Sequence, residues 1–183
     1  MFFFLFRASS GQAIAAPTVV PIGNAQLPPN LNDFIRAGAQ EDGVDPNSVV
    51  EVASTEAGDM RAALVGVGSD RQPRVSFFQG FGMTFFQPLG HLFAHGDPLA
   101  YSEGFVGPQG APSEVGIVGA AQARVVHVTI ELASGRVITA ALASSHGLAF
   151  FAYTGSAAED FPKTVRAYDA SGSVVQTHEV PTP

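Results

Sequence analysis

The chain has 183 residues, of which 46% are hydrophobic and 14% charged, with a net charge of −7 and no cysteine. That is about one domain's worth of chain, too apolar for a disordered protein. Disulfides, cysteine-bound zinc and thiol catalysis are excluded. One lysine, Lys163, and eight arginines stand against sixteen acids, so there is no basic patch with which to hold nucleic acid. The densest arginines, Arg61, Arg71 and Arg74, have Asp59 and Asp70 among them.

Residues 1–16 begin with the apolar run Met1 to Phe6, which Arg7 closes. The run is far short of the roughly 20 residues of a spanning helix. Ala13-Ile14-Ala15-Ala16-Pro17 has the look of an A-x-A cleavage boundary. The stretch is expected to be an apolar leader or the remnant of an anchor. Pro17, Pro21, Pro28 and Pro29 make residues 17–44 a proline-rich linker with room for one short helix, Leu31 to Gln40, capped by Asn32. Leader, spacer and body in that order imply a location outside the cytoplasm, with contact to membrane only through the N-terminal anchor.

Residues 45–180 read as the β domain. Asp45-Pro46 is a helix start signal for Pro46 to Ala53, although Val49, Val50 and Val52 also suit a strand. Strands are expected at Met60 to Val67, Arg74 to Gln79, Met83 to Phe86 and Leu99 to Val106, with turns at Gly68-Ser69-Asp70-Arg71 and Gly80-Phe81-Gly82. Pro88 to Ala94 is expected to hold one helical turn. From Arg124 to Leu132 apolar residues alternate, so Val126, Val128, Ile130 and Leu132 should be buried together, with Val125, His127, Thr129 and Glu131 on the other face. Ala133-Ser134-Gly135-Arg136 turns the chain into Val137 to Leu142. Leu148 to Tyr153 is an aromatic strand, and Val165 to Tyr168 pairs with Val174 to His178 in a last hairpin. The fold class is therefore mainly β: a single β-sandwich-like domain of short antiparallel strands, with one or two short N-terminal helices.

Site chemistry is sparse. His91 and His95 stand four apart, with Asp97 as a third metal ligand, so a small metal-dependent hydrolase is the alternative function. Leu92 occupies the place where a metalloprotease helix carries glutamate. Ser144 and Ser145 precede His146, but adjacency in sequence is not a catalytic triad and no G-x-S-x-G turn occurs. Gly66-Val67-Gly68 and Gly80-Phe81-Gly82 lack the third glycine of a dinucleotide site. Asp42, Asp45 and Asn47 hint at calcium without the spacing of an EF-hand, and the pairs Glu41-Asp42 and Glu159-Asp160 lie in loops. Phe77, Phe78, Phe81, Phe85 and Phe86 cluster at one hairpin and must send rings to both faces of a sheet. No catalytic, cofactor-binding or metal residue is assigned, and no cofactor is expected.

Two segments carry a resemblance. They are Ala123 to Val137, built around Glu131-Leu132-Ala133-Ser134-Gly135-Arg136, and Val165-Arg166-Ala167-Tyr168-Asp169-Ala170-Ser171-Gly172-Ser173-Val174-Val175. They resemble the closing hairpins of uncharacterised extracytoplasmic β domains of high-GC Gram-positive bacteria, with Gly116 to Gly119 as the short strand before them. The resemblance covers roughly residues 45–180. It implies a tethered or secreted β domain with no catalytic residue to carry over. A cysteine common in that family has no counterpart between Arg74 and Gln79. The expected function is thus a non-enzymatic extracytoplasmic domain acting through contacts with another protein or the cell envelope.

Overall fold

The turns are written in local chemistry, and the computed structural model shows those at Gly68 to Arg71, Leu132 to Gly135 and Asp169 to Gly172, each closed by a backbone hydrogen bond. It describes residues 20–21, 29–55, 61–79, 82–93, 96–106, 114–156 and 160–181. The leader, Gly80-Phe81, His95 and the loop 107–113 lie outside the described residues. Helix α1 spans Pro29–Glu41, starting three residues before Asn32. Proline at a helix start sacrifices no hydrogen bond, because the first N–H groups have no intrahelical partner. Asn32 is therefore internal, and its side chain accepts from Arg36 Nε at 3.1 Å. Gly43, at φ +69°, ends the helix. The Val44 N–H then reaches Ala39 O and the Gly43 N–H reaches Gln40 O, the paired bonds of a Schellman cap.

Asp45-Pro46 does not start a helix. The Asp45 carboxylate accepts the Asn47 N–H and its carbonyl accepts the Ser48 N–H, which makes a turn. The valines that follow go into strand β2, Val50–Ser54. It is flanked by β1 (Val20–Pro21) and β3 (Arg61–Val67), and β3 pairs with β4 (Pro73–Gln79). Two short pieces, β5 (Gly82–Met83) and β6 (Gln87–Pro88), both pair with β4 and complete a six-stranded sheet A. The expected strand Met83 to Phe86 is thus only two residues long and begins one residue earlier. One helical turn follows, α2 (Leu89–Leu92).

The remaining chain builds two four-stranded sheets. Sheet C contains β7 (Leu99–Val106), β8 (Glu114–Gln122), β11 (Ala143–Ser145) and β12 (Leu148–Ser156), in the order β11-β12-β8-β7. Sheet D contains β9 (His127–Leu132), β10 (Val137–Thr139), β13 (Pro162–Tyr168) and β14 (Val174–Glu179), in the order β10-β9-β13-β14. Every pairing is antiparallel. The chain is mainly β and sandwich-like, as its periodicity implies, but there are two sandwich interfaces rather than one.

The three cores show the stacking order. Ile35 and Ala39 of α1 pack on Ala62, Leu64 and Phe78 of sheet A. Ala63, Val65 and Phe77, on the other face of sheet A, meet Val118, Ala120 and Phe150 of sheet C. Ile117, Ala121 and Phe151, on the far face of sheet C, meet Val128, Ile130, Leu132 and Val165 of sheet D. The layers run helix, sheet A, sheet C, sheet D. Residue 45 therefore falls between two pieces of one packed core, since Ile35, Ala39 and Val44 belong to it. Sheet C is covered on both faces, and Val115 through Ala121 is buried without a break.

Two expectations about individual side chains change. Val128, Ile130 and Leu132 are fully buried together, but Val126 is 55% exposed and Val125 takes its place in the core. The strand alternation does not reach back that far: β9 begins at His127, and Val125 and Val126 lie in the connection from β8, where the Val125 N–H bonds Gln122 O at 2.8 Å and the Val126 N–H bonds Tyr168 O at 3.0 Å. In the phenylalanine cluster, Phe77 and Phe78 go to opposite faces of sheet A and Phe86 is buried with Phe78. Phe85 is 82% exposed.

Candidate functional site

Several of the sequence candidates among the described residues are occupied with structural work. His91 is exposed on the single turn α2, and Asp97 is exposed beyond it. His95, the middle member of the proposed metal trio, lies outside the described residues. Among the described residues no group of three His, Cys, Asp or Glu side chains converges. Asp42 accepts the Phe86 N–H at 2.7 Å and Asn47 accepts from Arg36 at 3.0 Å, so both hold loops together. Asp160 pairs with Arg136, and its backbone carbonyl accepts the Tyr153 hydroxyl at 2.9 Å. Burial first, then the Asp160 charge, pushes the Tyr153 hydroxyl up to about 12, while Arg136 pulls the other way.

Ser145 Oγ and His146 Nδ1 do meet, at 2.8 Å. The contact follows from the turn between β11 and β12, where His146 (φ +50°) and Gly147 (φ +75°) are both left-handed. That is the two-residue hairpin geometry whose twist matches its strands. His146 is exposed and no carboxylate orients its far nitrogen among the described bonds, so the pair caps a turn rather than arming a nucleophile.

The best-organised outward surface is the outer face of sheet D, which no layer covers among the described residues, although Thr129 and Thr164 on it are themselves buried. Three rows cross it. In the first, His127 lies edge-on to Tyr168 at 5.3 Å, beside Val174. The second runs Thr139, Thr129, Arg166, Thr177, and the Thr129 hydroxyl points at the Tyr168 oxygen at 3.4 Å. The third runs Val137, Glu131, Thr164, Glu179. Glu131 takes a 2.6 Å ion pair from Arg166 across the rows. Val126, Val137 and Val174, each at least half exposed, rim this polar centre. The face offers apolar and polar groups that another surface can meet, but among the described residues it holds no aligned nucleophile and base. Sequence reading missed this face because its rows join residues from four strands.

The fold and this face define a mainly β protein of three stacked antiparallel sheets with a helix on one outer face. No protein-family model, no curated protein and no solved structure matches the chain. No helix among the described residues is long and apolar enough to cross a membrane.

Proposed function

We propose that this chain is a non-enzymatic extracytoplasmic β domain, tethered or secreted, that works through protein contacts. The observation that carries the contact reading is the outer face of sheet D, where three exposed valines surround the Arg166–Glu131 pair and the Tyr168–His127 rings. Location is supported by the apolar leader, the A-x-A boundary and the prolines after it, and by the resemblance of the two closing hairpins to extracytoplasmic domains.

The absence of cysteine makes one experiment read both halves of the proposal. Single thiols are placed at Ser134, on the exposed tip of the β9–β10 hairpin, and at Val174, on the contact face. Intact cells of the native host are treated with a maleimide that does not cross membranes. Ser134→Cys should label without lysis, and Val174→Cys should be protected in cells yet reactive in purified protein. Labelling of Ser134→Cys only after lysis removes the location. Equal reactivity of Val174→Cys in both settings removes the contact face. Stoichiometric zinc in the purified protein, lost in His91→Ala, would replace the proposal with the hydrolase reading of His91, His95 and Asp97.

A further inference from the structure

Strands β7 and β14 are edge strands of sheets C and D, and they lie against one another on the same side of the stack. An edge strand presents unpaired backbone groups and must be protected from adventitious pairing. Here two glutamines reach β7 from the neighbouring sheets. Gln79 of sheet A donates to Ser102 O, and Gln176 of sheet D accepts the Leu99 N–H at 2.7 Å. The Gln176 bond has a consequence for its neighbour. A backbone N–H can only donate, so Gln176 must turn its oxygen to Leu99 and its NH2 group to the other side. That side is the Nε2 of His178, 2.5 Å away. An NH2 group can only donate as well, so His178 Nε2 must be bare. The ring is then neutral with its proton on Nδ1.

We propose that Leu99, Gln176 and His178 form a proton-sensitive clasp that closes the β7 edge when His178 is neutral and releases it when His178 is charged. A charged ring carries N–H on both nitrogens. Gln176 must then offer its oxygen to His178 and its NH2 group to the Leu99 N–H, where two donors face each other. The ring that faces His178 is that of Tyr101, edge-on at 5.1 Å, and Tyr101 in turn hydrogen-bonds Glu103, the charged residue of β7. On β13 the residue opposite is Val165, which carries no charge. On β14 itself, Glu179 falls on the other face. Opening frees the Leu99 N–H at the start of β7, the group that Gln176 holds in the closed state.

The test is nuclear magnetic resonance on the folded, full chain. At about pH 8 the His178 ring should carry its proton on Nδ1, and between about pH 8 and pH 5 the Leu99 amide should lose about tenfold in protection after correction for intrinsic exchange. In Gln176→Glu the carboxylate accepts from both neighbours, so protection should instead rise as His178 becomes charged. His178→Phe should abolish the dependence. A proton on Nε2 at pH 8 overturns the proposal. So does Leu99 protection that ignores pH in the wild type, or a Gln176→Glu profile with the same sign as the wild type.

Discussion

Replacing Gly119 by alanine should destabilise the protein although alanine is the better strand residue. Gly119 lies in β8 with Phe151 on one side and Tyr101 on the other. The Phe151 ring folds across it. A Cβ at this position would sit 2.4 Å from Phe151 Cζ, 2.5 Å from Cε1 and 2.8 Å from the Ala100 carbonyl oxygen. Carbon atoms in contact prefer about 3.5–4.0 Å, so the ring is short by about 1 Å. Phe151 has no exposed surface and is locked into the interface between sheets C and D, and the oxygen belongs to a paired strand. Neither can swing aside. Overpacking of this kind costs about 1–3 kcal/mol, and with a backbone atom involved the upper end applies. Alanine returns about 0.5–1 kcal/mol through its smaller loss of chain entropy. The net expectation is about 2 kcal/mol, or a fall of about 1 M in the urea midpoint at unchanged slope. Phe151→Leu removes the ring atoms nearest the new methyl. The pair of substitutions should therefore cost less than the sum of the singles, by about 1 kcal/mol. A Gly119→Ala protein as stable as the wild type, or strictly additive costs, would refute the packing argument.

The two adjacent phenylalanines of the loop before β6 should behave oppositely. Phe85→Ala should stay within about 0.5 kcal/mol of wild type, and Phe86→Ala should lose about 3–5 kcal/mol in the same denaturation assay. Comparable losses for the two would mean that their burial is interchanged. In a spectrophotometric alkaline titration, Tyr153 should ionise near about 12, and Tyr153→Phe should delete that late step. Its raised value favours the neutral folded form, so this contribution is intact below about pH 10, the ordinary tyrosine value, and disappears as pH rises through about 12. Asp169 is held below the ordinary carboxylate range, first by the Ser171 hydroxyl and also by the Ser173 and Ser171 N–H groups, with desolvation opposing them. Its contribution is present above the unfolded value and fades as pH falls through the lowered one. Ser171→Ala should move the Asp169 carboxyl titration upward by carbon-detected resonance, and no movement would dismiss the hydroxyl as the cause.

What was legible in the sequence was local. Leu99–Val106 has the ends its apolar run suggests, and Gly135 and Gly172 adopt φ near +80° in the turns where they were expected. What was not legible was set by partners far along the chain. Gly116 to Gly119 reads as a short strand, yet Glu114–Gln122 is nine residues long. Its two buried faces give a continuous apolar run with no alternation to mark its limits. The start of β9 at His127 is invisible without the Val126–Tyr168 bond that fixes the connection before it, and the Asp45 turn competes with a helix cap that uses the same residues. Of the candidate chemistry, the histidine spacing was visible, and His91 lies on one exposed turn. The Leu99–Gln176 bond spans 77 positions, and no local pattern announces it.

The order in which the strands are used has a consequence for synthesis. Sheet A is finished by Pro88, well before the rest of the chain exists. After that the chain lays down four hairpins alternately: β7–β8 in sheet C, β9–β10 in D, β11–β12 in C and β13–β14 in D. Each of these sheets is closed by joining its two hairpins, through β8 with β12 and through β9 with β13. As the chain leaves the ribosome, neither sheet can be completed before the other has begun. An interruption between residues 133 and 147 leaves β8 without β12 and β9 without β13, so both sheets are open at once and sheet A has its covering layer unfinished. Such fragments expose unpaired strands on every new layer, so the full chain is the smallest piece of this region that can hide them all.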